Sequence, residues 1–176
     1  MNQHNSGHDV IKESNVERMR LFVEQVQAKG RFELIDAHVH PEFRNHTVEA
    51  GQRSDRAGIG ETVAAMHEAL SGLRVEILHC VGAGDLVATH KVFRGRHTGT
   101  WFGLPPSGNQ VEFRVMDLVR YRDGQWVEHW AVADVVSLLP PDRRPTRRSR
   151  WAFLMAQVSV IAPDGGESIQ LGPTWS

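Results

Sequence analysis

The apolar residues of this chain change their period near Gly72, and that switch constrains the fold more than any other feature. Upstream, Val16, Met19, Val23 and Val26, with Phe22 beside them, recur at the three-or-four-residue spacing of one helix face. Ser14 and Glu17 stand at capping-box spacing ahead of that run, and Gly30 suits its end. A shorter helical segment carries Phe32, Ile35 and Val39 on one side and ends at His40-Pro41, since proline disfavours helix in the residue before it. Ile59, Val63, Met66 and Leu70 mark a third helix, closed by Gly72.

Downstream the period is two. Leu73, Val75, Ile77 and Val81 alternate with Arg74, Glu76 and Leu78, a strand with one buried face. Gly82-Ala83-Gly84-Asp85 turns the chain into a second strand, Leu86 to about His97. A third runs from Val111 to Arg122, and Asp123-Gly124 is a hairpin signal leading into a fourth, Trp126 to Leu138. Helices first and long antiparallel strands after them specify an α+β domain over residues 14–139, a curved antiparallel sheet packed on N-terminal helices around an apolar small-molecule pocket.

The chain's 176 residues suffice for one domain with a sizeable core and are too few to expect two. Residues 1–13 are polar, without the apolar run of a signal peptide, and are expected to be disordered. Residues 140–176 open with Pro140, Pro141 and Pro145 among Arg143, Arg144, Arg147, Arg148 and Arg150, an exposed linker. The apolar stretch from Trp151 to Ile161 then suits docking on this chain or on a partner subunit. A net charge of −1 supplies no field to draw the protein to nucleic acid or membrane, so neither is an expected partner. No stretch approaches the ~20 apolar residues that span a bilayer, and a cytoplasmic location is the default expectation. Cys80 is the only cysteine, which leaves no intramolecular disulfide and no multi-cysteine zinc site.

The string Ile35-Asp36-Ala37-His38-Val39-His40-Pro41 looks like the first metal motif of the amidohydrolases. On a strand, His38 and His40 would share a face and suit a metal. Those enzymes are (β/α)₈ barrels of about 250 residues, however, whereas the later strands here lack crossover helices. The segment itself reads as helical, where the two imidazoles would diverge by about 200°. A metal hydrolase is therefore a remote alternative, and no metal site is expected.

Four segments point elsewhere. They are His40-Pro41-Glu42-Phe43-Arg44-Asn45-His46, Gly95-Arg96-His97-Thr98-Gly99, Phe102-Gly103-Leu104-Pro105-Pro106-Ser107-Gly108 and Arg122-Asp123-Gly124-Gln125-Trp126-Val127-Glu128-His129-Trp130. In this order and spacing the chain closely resembles the SnoaL-like polyketide and ester cyclase family, of the nuclear transport factor 2-like superfamily of cone-shaped α+β folds. The resemblance runs from about Val16 to Leu139. It implies an enclosed apolar pocket in a homodimer or homotetramer, with neither metal nor organic cofactor. It also implies an intramolecular aldol ring closure or, on relatives of the fold, dehydration, isomerisation or epoxide opening. All of these need one group to move a proton while the pocket orients a carbon framework.

Strand alternation then sorts the candidate residues. Phe113, Val115, Asp117 and Val119 share one face of the third strand, which sets Asp117 among apolar neighbours where its pKa is expected to rise. The other reading open for Asp117 is a carboxylate paired with an arginine or a backbone amide. In the fourth strand Val127, His129, Ala131 and Ala133 share a face opposite Trp126, Glu128, Trp130 and Asp134, unless a bulge intervenes. In the ring-closing aldol cyclases an aspartate stands two residues after this histidine and a histidine stands at the position of Asp117. Here those positions are Ala131 and Asp117, so the family's dyad is not carried over intact. Asp117 and His129 are the expected catalytic pair; a ligand-binding module without catalysis also fits Ala131. Asn45 is expected to hydrogen-bond a substrate oxygen or to serve as a turn residue, with His46 beside it on the pocket side. His97 is expected to make a structural hydrogen bond near the pocket. Trp101 and Phe102 cover the pocket mouth or a subunit contact. Trp126 and Trp130, on the outward face, favour such a contact. The side that His90 faces is left open.

Overall fold

A computed structural model of the chain describes residues 14–48, 51–101 and 103–134. The expectations for residues 1–13, for Phe102, for the fourth strand and the domain beyond Asp134, and for residues 140–176 lie outside these described residues.

The chain enters through the capping box read from sequence: Glu17 N–H donates to the Ser14 hydroxyl, and the Glu17 carboxylate accepts from Ser14 N–H at 2.8 Å. Helix α1, Asn15–Leu21, runs directly into a π-helical stretch, Phe22–Ala28. The π stretch holds Phe22, Val23, Val26 and Gln27 on the buried side. A 3₁₀ turn, Phe32–Leu34, leads into the short helix α2, Ile35–His38.

There the sequence expectation needs its first correction. The chain does not end a helix at His40-Pro41 but is already extended from Val39, forming strand β1, Val39–Asn45. Pro41 is tolerated because β1 is an edge strand whose register breaks between Val39 and Arg44. Helix α3, Arg56–Ala69, is capped by Asp55, whose side chain accepts from Gly58 N–H. Leu70 is not its last residue. It opens strand β2, Leu70–Ala83, and Gly72 (φ +64°) sits at a register shift inside that strand rather than closing a helix.

Strands β3, Leu86–His97, β4, Gln110–Arg122, and β5, Gln125–Asp134, follow the sequence reading closely. The β4–β5 turn has positive φ at both Asp123 (51°) and Gly124 (79°), the geometry of a two-residue hairpin that twists with its strands. The sheet order is β1-β5-β4-β3-β2: four antiparallel strands with β1 added parallel to β5. The curved sheet and its helices match the expected α+β class. The core between them gathers Met19, Phe22, Val26, Phe43, Ile59, Val63, Phe93, Phe113 and Trp126.

The outer face of the sheet carries exposed apolar side chains, with Met116 at 60% and Val132 at 77% exposure. His90 lies on this outer side and meets the stacked His79 ring, the two Nδ1 atoms 3.3 Å apart. Among the described residues no helix is long and apolar enough to cross a membrane.

A buried charged cluster on the inner sheet face

The strand registers decide which side chains meet. Thr89, Asp117 and Ala131 pair across β3, β4 and β5 and so form one row on the inner face. Lys91, Val115 and Ala133 form the next row on one side; Val119, His129 and Asn45 form the row on the other. Asp117 therefore has Lys91 as one diagonal neighbour and His129 as the opposite one, within reach of long side chains.

Those diagonals are closed by hydrogen bonds. Lys91 Nζ lies 2.7 Å from Asp117 Oδ2, which also accepts from the Thr89 hydroxyl at 3.0 Å. His129 Nε2 lies 2.8 Å from Asp117 Oδ1, and His129 Nδ1 lies 3.1 Å from Asn45 Oδ1. Asn45 Oδ1 accepts a second bond, from Thr47 N–H at 3.0 Å. At the far end Lys91 Nζ donates to Gln27 Oε1 at 2.9 Å, a group on the π stretch. The three ionisable members are 0% (Lys91), 7% (Asp117) and 9% (His129) exposed. Half-buried Ile77, Cys80 and Val115 give this polar chain an apolar border.

The expectation of a raised Asp117 pKa is overturned. Burial pushes it upward, but the Lys91 charge and the His129 hydrogen bond outweigh burial and hold the carboxyl well below the usual carboxylate range. The partner that does this is a lysine, where sequence reading named an arginine or an amide. Lys91 itself went unrecognised, because β3 has apolar neighbours on both faces: Val87 and Phe93 share its parity, Ala88 and Val92 the opposite one. Only the cross-strand partner reveals which face is which.

The other candidates divide. Asn45 is both a turn residue and the acceptor beside His129. Phe113 stacks on Phe93 with ring centroids 4.9 Å apart, and Trp101 packs edge-on to Phe113, so Trp101 is part of this chain's own core. His97 is buried at the end of β3, with Nδ1 3.3 Å from the Ser107 hydroxyl, in line with a structural role. His46 N–H donates to the His129 carbonyl at 2.8 Å, but its ring faces the other side of the sheet. Its ring stacks on Trp130 and its Nε2 meets Glu128 at 3.1 Å, and Trp130 pairs with outward-facing Leu118. Asp134 is likewise outward, since it pairs with exposed Arg114.

Trp126 needs the opposite correction. Glu128 pairs with Arg120 while Trp126 pairs with Tyr121, so Val127 is an extra residue in a bulge. The bulge turns Trp126 inward, where its Nε1 donates to the Tyr121 hydroxyl and its ring stacks on His129 at 5.9 Å. As for His38 and His40, the former ends α2 edge-on to Phe22, and the latter sits on β1 against Arg122. Among the described residues no group of three or more His, Cys, Asp or Glu is placed to hold a metal ion.

Comparisons with known proteins follow the same outline. The profile of the SnoaL-like polyketide cyclase family matches residues 17–140. Among solved structures, TsrD from Streptomyces laurentii superposes with a TM-score of 0.63 at 23% identity, covering 69% of this chain and 89% of its own. IdmH from Streptomyces antibioticus, named as a candidate polyketide cyclase, gives a TM-score of 0.62 at 26% identity, covering 71% and 95%. AclR from Streptomyces galilaeus, named as a candidate hydroxylase, gives 0.58 at 27% identity, covering 72% and 95%. No curated protein sequence matches the chain.

Proposed function

Because the chain belongs to the SnoaL-like polyketide cyclase family, we propose that it is an acid–base enzyme, working without a cofactor, on a polyketide-like or other apolar carbonyl compound. Ring closure is the reaction we put first; dehydration, isomerisation and epoxide opening make the same demands on the site. The observation that carries the reading is the contact of Asp117 with His129, 2.8 Å apart on the buried face of adjacent strands. A carboxylate that fixes an imidazole in this way supplies a proton-transfer group where water is scarce.

The assay uses an aromatic polyketide ester with an unclosed carbonyl side chain. Asp117→Asn and His129→Ala are each expected to lower turnover by about 10²-fold or more while the near-UV circular dichroism is kept. Full turnover in both folded variants would remove the pair from the mechanism. Ala131, directly opposite Asp117 where relatives are expected to supply a carboxylate, favours a second reading as a hydrophobic-ligand carrier. That reading predicts saturable binding of the same ester by the wild-type protein with no product formed over hours.

A further inference from the structure

The hydrogen bonds around His129 allow its protons to be counted. Asn45 Oδ1 accepts from Thr47 N–H, which fixes the orientation of the Asn45 amide, since a flipped amide would set an NH₂ against an N–H. The atom facing His129 Nδ1 at 3.1 Å is therefore an acceptor, and Nδ1 carries a proton. On the other side of the ring, Nε2 faces Asp117 Oδ1 at 2.8 Å, a contact that needs one proton between the two atoms. Asp117 already receives Lys91 and Thr89 on Oδ2, and that ion pair keeps the carboxylate ionised, so the shared proton rests on Nε2.

We propose that Lys91 is a positioning residue: its ion pair with Asp117 makes that carboxylate a fixed anchor for His129 Nε2, so that the proton the site transfers is the one on Nδ1. The inference rests on the acid–base reading above and names its working atom. Asn45 can release Nδ1 without being orphaned, because its oxygen keeps the Thr47 N–H. Among the described residues Asp117 Oδ1 has no such second donor. In the acid direction the Nδ1–H bond breaks, its electron pair stays on nitrogen, and the proton passes to a negatively charged substrate oxygen, such as an enolate. What remains is a neutral ring with Nε2–H still held by Asp117. Acting as a base, the neutral ring uses its Nδ1 lone pair to take a proton from carbon next to a carbonyl, and the C–H electron pair passes into the enolate.

With Nδ1 protonated, Lys91, Asp117 and His129 together carry one net positive charge in an apolar border, which suits a substrate that becomes anionic as it reacts. Besides His97, buried at the end of β3 against Ser107, two other ionisable groups on the neighbouring strands lie toward the inner face. Cys80 on β2 has its thiol pushed up by burial and stays neutral, and the Tyr121 hydroxyl on β4 accepts from Trp126. Gln27 and Asn45 complete the surroundings without charge.

The test needs no substrate. With ¹⁵N-labelled histidine in the full chain, and His129 assigned by its loss in His129→Gln, the ring nitrogens are followed through a pH titration. The expected result is two protonated nitrogens at the acid end, with Nδ1 losing its proton as pH rises while Nε2 keeps its own. Lys91→Met is expected to move the Nε2 signal toward that of an unprotonated nitrogen, because Asp117 without its cation competes for the shared proton. Lys91→Arg is expected to restore the wild-type signal. Loss of the proton from Nε2 first would overturn the proposal in the wild-type protein alone, whether or not Lys91→Met folds. A folded Lys91→Met with the wild-type Nε2 signal would overturn it as well. If the nitrogens behave as described but no carbonyl compound is turned over, the enzyme reading fails and this assignment stands.

Discussion

At the scale of single residues, Asp117 ties stability to pH. Its folded value lies below the ordinary carboxylate value near 4, so its contribution is whole above that pH. The contribution is lost as pH falls from about 4 toward the lower folded value. The denaturant midpoint of the wild-type protein is therefore expected to drop across this acid window, and Asp117→Asn to drop less steeply. Some slope will remain, because exposed Asp55 is also lowered, to about 2, by its bond to Arg53. Equal slopes for both proteins would mean that Asp117 is not held ionised. At pH 7 the same variant leaves Lys91 buried without its counter-charge, a loss on the order of 3–5 kcal/mol.

At the scale of elements, the turns and faces make separate demands. Gly124 adopts φ +79°, and a β-carbon there would stand 2.9 Å from the Arg18 guanidinium as well as straining the backbone. Gly124→Ala is expected to cost about 1 kcal/mol or more by chemical denaturation, with the strands intact. The outer sheet face asks for a partner. Leu118 and Trp130 lie beside Val81 and Ala88, and Met116 pairs with Val132, in two apolar rows. Arg94 with Glu76 and Glu112 borders them on one side, Arg120 with Asp85 and Glu128 on the other. A balanced rim around an apolar centre suits a second copy of the same face, and we propose a homodimer, or a homotetramer built from it. Met116→Glu with Val132→Glu is expected to halve the mass seen by light scattering. A wild-type monomer, or an unchanged mass, would end that idea.

At the scale of the molecule, the parts legible in sequence are those with uninterrupted periodicity. Helix α1 with its cap, strands β3 to β5 and the Asp123-Gly124 turn all follow from local spacing. Strand β1 did not, because its buried residues Val39 and Phe43 are four apart across a register break. Trp126 was put on the wrong side by one extra residue, Val127. Asp117 and His129 could be named from alternation and resemblance together. Lys91 and Gln27 could not, since one needs the pairing of β3 with β4 and the other the packing of its helix over Lys91.

The diagonal from Lys91 through Asp117 to His129 has a consequence for how the sheet avoids misassembly. A slip of two residues between β3 and β4, about 7 Å, would leave every side chain on its proper face. Val87, Phe93, Phe113 and Val119 would still be buried, so the apolar pattern alone discriminates weakly against it. The charges do discriminate against one direction of slip: with Val87 opposite Asp117, Lys91 would be buried opposite Phe113 and both ions would be stranded. The ion pair that anchors the proton-moving group is thus also a check on strand alignment in that direction.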